Sequence, residues 1–252
     1  MSYATARYLF TFVCESISMG ANMLVEAVLE LLAPTHCAGC ERPGSVLCDV
    51  CIEDISVYRD RHLCPRCGAP YGELVCTECQ GREFSFDYAI CLGELDGPLA
   101  RAVVIFKDGP EIRLGPVLGD LLAQRCVGHL LGAEAPVDLV TWIPPTARAL
   151  KRRGFDHAGI VADRVARRLG VECTQFLARQ HMRDLRNLSR DERMVEVVGT
   201  YRWVDEDVHI AGRRILIVDD VLTTASTLEG ASRMFKDLGA LSVVGAVLAR
   251  AW

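Results

Sequence analysis

The sequence lacks several features that define common protein classes. No apolar run reaches the roughly 18–20 residues that a membrane-spanning helix requires, so we expect no membrane span. The formal net charge of −5 argues against a general binder of polyanions. Low-complexity segments are absent, and no small-residue cleavage site follows the N-terminal apolar stretch YLFTFVC. These absences predict a globular, cytoplasmic protein.

Cysteine is abundant, but its arrangement does not suggest a disulfide framework. Eight of the 12 cysteines form C-x-x-C pairs, namely Cys37/Cys40, Cys48/Cys51, Cys64/Cys67 and Cys76/Cys79. Disulfide frameworks are typical of short secreted chains, whereas this chain has 252 residues and no clear export signal. We therefore expect reduced thiolates that bind metal.

The spacing of these pairs favours structural zinc. Zn²⁺ prefers four tetrahedral ligands, and two C-x-x-C pairs supply a closed Cys₄ site. Two consecutive zinc ribbons and a cross-braced arrangement are both compatible with the spacing, which implies one or two zinc ions. The block from 34 to 82 has five Arg, no Lys and seven Asp or Glu. Because metal-bound thiolates add further negative charge, we expect a structural or protein-binding role for this block rather than contact with DNA phosphates.

Three blocks follow one another along the chain. We predict an N-terminal helical lead over 1–33, a double zinc ribbon over 34–82 and an α/β domain over 83–252. In the third block the strand patterns FDYAICLGEL, DLVTWIPP, RRILIV and LSVVGAVLA alternate with helical segments such as HAGIVADRVARRLG. LSRDER has capping-box spacing for a further short helix. This alternation predicts a mainly parallel sheet with helices on both faces, and ligands bind such sheets beyond the carboxyl ends of the strands.

The stretch RRILIVDDVLTTASTLEG places two carboxylates and a hydroxyl-rich turn at such a strand end. Asp219 and Asp220 can only accept hydrogen bonds, which suits a metal ion or a pair of sugar hydroxyls. The turn that follows contains Thr223, Thr224, Ala225, Ser226 and Thr227. If it opens a helix, its free N–H groups form an anion pocket. A ribose phosphate satisfies both ends of this motif.

A basic stretch provides a second candidate anion site. Residues 142–193 contain 12 Lys or Arg against six Asp or Glu. The segment ARALKRRGF, which we predict to be a loop beside a strand end, supplies Arg148, Lys151, Arg152 and Arg153. Planar guanidinium groups match phosphate oxygens. Single-stranded nucleic acid is the competing anion for this patch.

The motif ILIVDDVLTTAST resembles the phosphoribosyl pyrophosphate (PRPP) motif of type I phosphoribosyltransferases. Together with the cysteine block, the segments TWIPPTARALKRRGF, LSRDER and VVGAVLAR make residues 34–250 similar to the ComF/ComFC family. The resemblance implies a phosphoribosyltransferase-like domain preceded by zinc-ribbon cysteines, and a link to DNA uptake and the competence machinery.

The resemblance also implies roles for individual residues. Asp219 and Asp220 would be the catalytic pair that accepts hydrogen bonds from the ribose hydroxyls, and residues 223–227 would cradle the 5′-phosphate. The residues facing the pyrophosphate and its Mg²⁺ would be Arg148, Lys151, Arg152, Arg153 and Lys107. On sequence alone, Lys107 reads as the exposed end of a helix.

The chain departs from the family pattern beside both predicted sites. Ala225 stands where glycine is expected, and alanine resists the positive φ that glycine permits. Asp156 and His157 replace the usual N-Q after R-G-F. We therefore retain two hypotheses. The first is a phosphoribosyltransferase-like enzyme or PRPP binder, and the second is a non-catalytic zinc adaptor that binds single-stranded DNA or a protein partner in DNA uptake. The sequence identifies no acceptor base.

Overall fold

The computed structural model of the chain describes residues 34–56, 63–109, 111–130, 137–179, 201–205 and 208–252. The predicted helical lead over 1–33 and the LSRDER segment lie outside the described residues.

A five-stranded sheet forms the centre of the domain. The strands are β1 (Tyr88–Glu94), β2 (Leu139–Trp142), β3 (Glu172–Cys173), β4 (Leu177–Arg179), β5 (Tyr201–Trp203), β6 (Arg214–Leu222) and β7 (Ser242–Arg250). The sheet has the order β1-β7-β6-β2-β3, and all of its pairs are parallel. Strands β4 and β5 form a separate antiparallel pair. The long apolar runs of β6 and β7 occupy central positions, where both faces of a strand are buried.

Helices cover both faces of this sheet, as predicted. They are α1 (Asp49–Ser56), α2 (Gly97–Asp108), α3 (Leu114–Leu130), α4 (Ala147–Arg153), α5 (His157–Leu169) and α6 (Ser226–Asp237). Leu216 and Val218 of β6 belong to the core shared with α2, α3 and α5. Ile215 and Ile217, which point the other way, share a core with α6 and with the second group of cysteines.

One local prediction is wrong, because the basic segment predicted to be a loop forms helix α4. The Thr146 side chain caps this helix by accepting a hydrogen bond from the backbone N–H of Ala149 at 3.1 Å, and Gly154 ends it with φ of +81°. The next helix, α5, is capped by the Asp156 side chain and ends at Leu169, and Gly170 follows it in the left-handed conformation.

Among the described residues, no helix combines the length and the hydropathy needed to cross a membrane.

Candidate functional site

A cavity of about 510 Å³ opens at the carboxyl ends of the central strands. Its walls come from α2, from the Pro144–Pro145 turn after β2, from the start of α5, and from the end of β6 and the loop that follows. The predicted site residues that line it are Lys107, Arg153, Asp219, Asp220, Thr223 and Thr227. The fold therefore brings the carboxylate pair, part of the hydroxyl loop and two of the predicted cations into one space.

The two aspartates lie within β6 rather than after it, since the strand continues to Leu222. Each residue is only 8% exposed. Because neighbouring residues of a strand point to opposite faces, their carboxylates meet different surroundings. Asp220 faces α2 and α5, where Lys107 and His157 contact it, whereas Asp219 interacts with Arg179 and Tyr201.

Asp220 is held by two donors. Its Oδ2 lies 2.7 Å from Lys107 Nζ and 2.8 Å from His157 Nε2. Arg153 Nη1 lies 2.7 Å from the other ring nitrogen, His157 Nδ1. Because a guanidinium can only donate, Nδ1 accepts and the Nε2–H group donates to Asp220. The cluster thus orients the Asp220 carboxylate before any ligand is bound.

The different surroundings separate the two pKa values. Burial, followed by the charge of Asp220, raises the pKa of Asp219 to about 7. Burial also opposes ionisation of Asp220, but the hydrogen bond from His157 and the charge of Lys107 outweigh it and hold its pKa well below the usual range. Near neutral pH, Asp220 is therefore an anion, whereas the pKa of Asp219 lies close to the pH of the solution.

The loop after β6 presents backbone donors to the cavity. Helix α6 begins at Ser226, and its first backbone bond runs from the N–H of Glu229 to the carbonyl of Ala225 at 2.8 Å. Within the described part of the chain, the backbone N–H groups of residues 223–227 have no protein acceptor. The Thr224 and Ser226 hydroxyls lie 3.0 Å apart. Free N–H groups at a helix start, beside hydroxyl groups, are suited to a phosphate.

Ala225 adopts the left-handed conformation that glycine would adopt without strain. Its φ is +65° and its ψ is 0°. This conformation is less favourable for an L-residue with a Cβ by about 1–2 kcal/mol. The loop therefore keeps the shape expected of the family's glycine, at an energetic cost.

Replacing Ala225 by glycine is expected to stabilise the protein by about 1 kcal/mol, because it removes the clash of Cβ at positive φ. Urea unfolding of the variant and the parent measures this difference. A matched control is Ala231→Gly in the interior of α6, which should destabilise by a similar amount. If Ala225→Gly and Ala231→Gly lowered the free energy of unfolding by the same amount, the backbone at Ala225 would not be strained.

The remaining predicted cations lie outside the cavity lining. Arg148 and Lys151 are exposed on α4, and Arg152 Nη2 binds the Asp108 carboxylate at 2.8 Å. By contrast, the Arg153 side chain is only 5% exposed.

Two basic residues of the cavity lining, His157 and Arg179, were not predicted as ligand contacts. His157 could have been suspected from its place after R-G-F, where it departs from the family pattern. Arg179 carries no local signal, since the fold of β4 brings it to the Pro144 carbonyl, to which its Nε donates at 2.9 Å.

The paired cysteines form two separate clusters. Cys37, Cys40, Cys48 and Cys51 form the first ribbon site, and Cys64, Cys67, Cys76 and Cys79 form the second. The ribbons are therefore consecutive rather than cross-braced. In each cluster all the sulfurs lie within 4.8 Å of one another.

The geometry of both clusters fits zinc. At a Zn–S bond length of about 2.3 Å, tetrahedral sulfurs lie about 3.8 Å apart. The Cys37–Cys51 and Cys67–Cys76 sulfurs are 3.7 and 3.6 Å apart. Backbone N–H groups also point at sulfur: Cys48 donates to Cys37 at 3.3 Å and Cys76 donates to Cys64 at 3.4 Å. Such donors stabilise the thiolate form that zinc requires.

Comparisons with protein families support both halves of this description. Residues 28–86 match the double zinc ribbon domain, and residues 149–251 match the phosphoribosyl transferase domain. The "DNA utilization protein YhgH" of Escherichia coli K12 is 25% identical over 228 residues, which cover 84% of this chain and 96% of that protein. The "Competence protein F" of Haemophilus influenzae is 26% identical over 223 residues, covering 86% and 96%.

Other similarities cover a smaller share of the chain. A "Ribose-phosphate pyrophosphokinase" of Bifidobacterium longum is 32% identical over 142 residues, which cover 55% of this chain and 33% of that protein. Among solved structures, a glutamine PRPP amidotransferase from B. subtilis, complexed with ADP and GMP, aligns at 19% identity and a TM-score of 0.39. That alignment covers 57% of this chain and 30% of the solved chain, and it is too weak to support an argument about function.

Proposed function

Because the chain is a member of the ComF/ComFC family, with a double zinc ribbon followed by a phosphoribosyl transferase domain, we propose that it binds the ribose 5-phosphate part of PRPP. The observation that carries this proposal is the shared cavity. Two carboxylates line the same space as Thr223 and Thr227, the two ends of a loop whose N–H groups have no backbone acceptor among the described residues, whereas residues 224–226 lie outside the lining. The carboxylates accept hydrogen bonds from the ribose hydroxyls, and the loop binds the 5′-phosphate.

The cations of the cavity suit the pyrophosphate. Arg153, Arg179 and Lys107 all line the cavity, and Arg153 Nη2 lies 3.9 Å from the carboxylate of Asp108, the neighbour of Lys107 on α2. These three groups are candidates for the pyrophosphate oxygens, and Mg²⁺ would enter with PRPP as its counter-ion. Arg148 and Lys151, on the exposed face of α4, would contribute only long-range attraction.

Transfer of the phosphoribosyl group is compatible with this arrangement. Departure of pyrophosphate from C1 of the ribose leaves positive charge on the sugar, and the anionic Asp220 lies in the same cavity. Such chemistry needs positioning and electrostatic stabilisation rather than a side-chain nucleophile. The reduced thiols needed for zinc are consistent with function in the cytoplasm.

Calorimetric titration of the zinc-loaded protein with ribose 5-phosphate, and with PRPP plus Mg²⁺, tests the proposal. We expect saturable binding that weakens by about 30–1,000-fold in the Asp219→Asn/Asp220→Asn protein, because each of the two lost charged acceptors is worth about 1–2 kcal/mol. Inorganic phosphate should bind the parent and this variant equally, because the phosphate loop is unchanged.

Asp87 offers a matched control for the double variant. Its carboxylate accepts from the backbone N–H of Val243 at 2.9 Å, at the opposite end of the sheet. Asp87→Asn should therefore bind ribose 5-phosphate as the parent does. Absence of saturable binding of ribose 5-phosphate and of PRPP to the parent would contradict the proposed function.

Two observations favour a second candidate, a non-catalytic adaptor in DNA uptake. Asp220 is already engaged by Lys107 and His157, and two cations of α4 remain exposed beside the cavity. The names of the relatives also refer to DNA utilization and competence. Salt-sensitive binding of single-stranded DNA or of a competence protein, without binding of PRPP, would support this candidate.

A further inference from the structure

Arg250 is a buried cation between the second ribbon and the loop of residues 223–227, which we call the phosphate loop. It is the last residue of β7 and is 2% exposed. Its Nη1 donates to the carbonyls of Leu222 at 3.1 Å and Thr223 at 2.9 Å, the residues at which β6 passes into the loop. The guanidinium therefore fixes the backbone at the start of the loop.

The other side of the same guanidinium faces the second ribbon. Arg250 Nη2 lies 3.5 Å from the carboxylate of Glu78, which stands between the zinc ligands Cys76 and Cys79 in the sequence. The charge of Arg250 also acts on the nearby Cys67 thiol. The ribbon is also joined to the sheet through the Ala89 N–H, which donates to the Arg66 carbonyl at 2.9 Å. A Cys₄ zinc centre carries a formal charge of −2, from four thiolates and one Zn²⁺. That charge stabilises a buried guanidinium that would otherwise be expensive to keep away from water.

We propose that Arg250 is a positioning residue that couples zinc in the second ribbon to the conformation of the phosphate loop. With zinc bound, the anionic centre holds the guanidinium where it can donate to the Leu222 and Thr223 carbonyls. When zinc is lost and the four thiolates take up protons, the charge of the centre changes from −2 to zero, so the buried cation loses this attraction and releases the loop. Because coupling is reciprocal, a ligand that orders the loop must also strengthen zinc binding in the second ribbon. This last consequence rests on the proposed function.

The first ribbon provides an internal comparison. This ribbon packs on the core beneath α2 and α3, and one of its hydrogen bonds to the domain runs from Arg101 Nε on α2 to the Gly39 carbonyl at 2.5 Å. Among the described residues, no hydrogen bond or ion pair joins the first ribbon to residues 222–227. Loss of zinc from the first ribbon should therefore leave the loop unchanged.

Hydrogen exchange in the full-length, zinc-loaded protein tests the coupling without any ligand. The reporter is the Glu229 amide, whose bond to the Ala225 carbonyl closes the loop. We expect Arg250→Met to speed its exchange about tenfold, within the usual range of coupling energies. Arg101→Met, which removes this hydrogen bond of the first ribbon, should change the rate less than twofold. Equal rates in the Arg250→Met protein and the parent would overturn the proposal.

Zinc release gives a second readout that remains usable if Arg250→Met folds poorly. In the parent, a chromogenic chelator should release zinc in two phases, and ribose 5-phosphate should slow one of them about tenfold. In the milder Arg250→Lys variant this protection should disappear, because a single ammonium group cannot reach both carbonyls and the thiolate. If ribose 5-phosphate binds and slows neither phase, the coupling is wrong while the proposed function stands. If ribose 5-phosphate does not bind, the proposed function fails and hydrogen exchange alone decides the coupling.

Discussion

Replacing Cys76 by serine is expected to remove one zinc ion and to destabilise the whole domain by about 5 kcal/mol or more. Structural zinc contributes roughly 10–16 kcal/mol of apparent binding energy in small zinc domains, and losing one of four ligands forfeits much of it. The second ribbon is part of the main core, since its cysteines pack with Phe86, Ile215 and Phe235. Because a domain of this kind has only about 5–15 kcal/mol of stability, the expected loss approaches the total.

Cys126 provides the matched control for this prediction. It is fully buried in α3, like Cys76, but it belongs to neither cysteine cluster. Cys126→Ser should lower the free energy of unfolding by only about 1–3 kcal/mol, because it buries a hydroxyl group, and the variant should retain both zinc ions. Zinc content by mass spectrometry and thermal unfolding by circular dichroism measure both effects. Equal losses in the two variants, or two zinc ions retained in Cys76→Ser, would contradict a structural role for the second site.

Local sequence signals predicted the parallel sheet and the cysteine clusters correctly. The runs ILIV and SVVGAV predicted buried parallel strands, and they form the adjacent central strands β6 and β7. The position of Asp219 and Asp220 at the carboxyl end of an apolar run predicted a ligand site, and both residues line the cavity, but ligand binding there stays a prediction. The four C-x-x-C pairs predicted zinc, because the chemistry of four thiolates depends little on the surrounding fold.

The features that sequence reasoning missed depend on distant contacts. Helix α3 is apolar on most sides and contains glycine, so it lacks the periodicity that predicts a surface helix. Its Gly119 lies against α5 so closely that a Cβ would come within 2.7 Å of Arg164 Cβ. The pairing of the zinc ligands likewise follows from topology, as do the approach of Arg179 to the Pro144 carbonyl and that of Arg250 to the loop. No local pattern encodes such approaches.

Replacing Asp219 by asparagine is expected to stabilise the unliganded protein at neutral and alkaline pH. Burial raises the pKa of Asp219 to about 7 in the folded state, while an unfolded aspartate has a pKa of about 3.9. Between these values the folded protein keeps a proton that the unfolded chain has released, so this residue costs stability as the pH rises from 4 to 7. Asparagine removes the cost. The gain should be near zero at pH 4 and reach about 2–4 kcal/mol at pH 8, measured by urea unfolding across that range.

Asp220, the neighbouring residue, should respond with the opposite sign. Despite its burial, the hydrogen bond from His157 and the charge of Lys107 lower its pKa, so its carboxylate stabilises the fold above about pH 4 and loses this effect only in stronger acid. Asp220→Asn should therefore destabilise the protein at pH 8, leaving Lys107 without its anion. Opposite effects at these adjacent positions would mean that Asp220 stabilises the unliganded site, whereas Asp219 lowers the stability of the fold. A destabilising carboxylate is expected where its partner is a ligand rather than another part of the protein. If Asp219→Asn is less stable than the parent at pH 8, an unrecognised protein partner holds that carboxylate, and its assignment to a ribose hydroxyl fails.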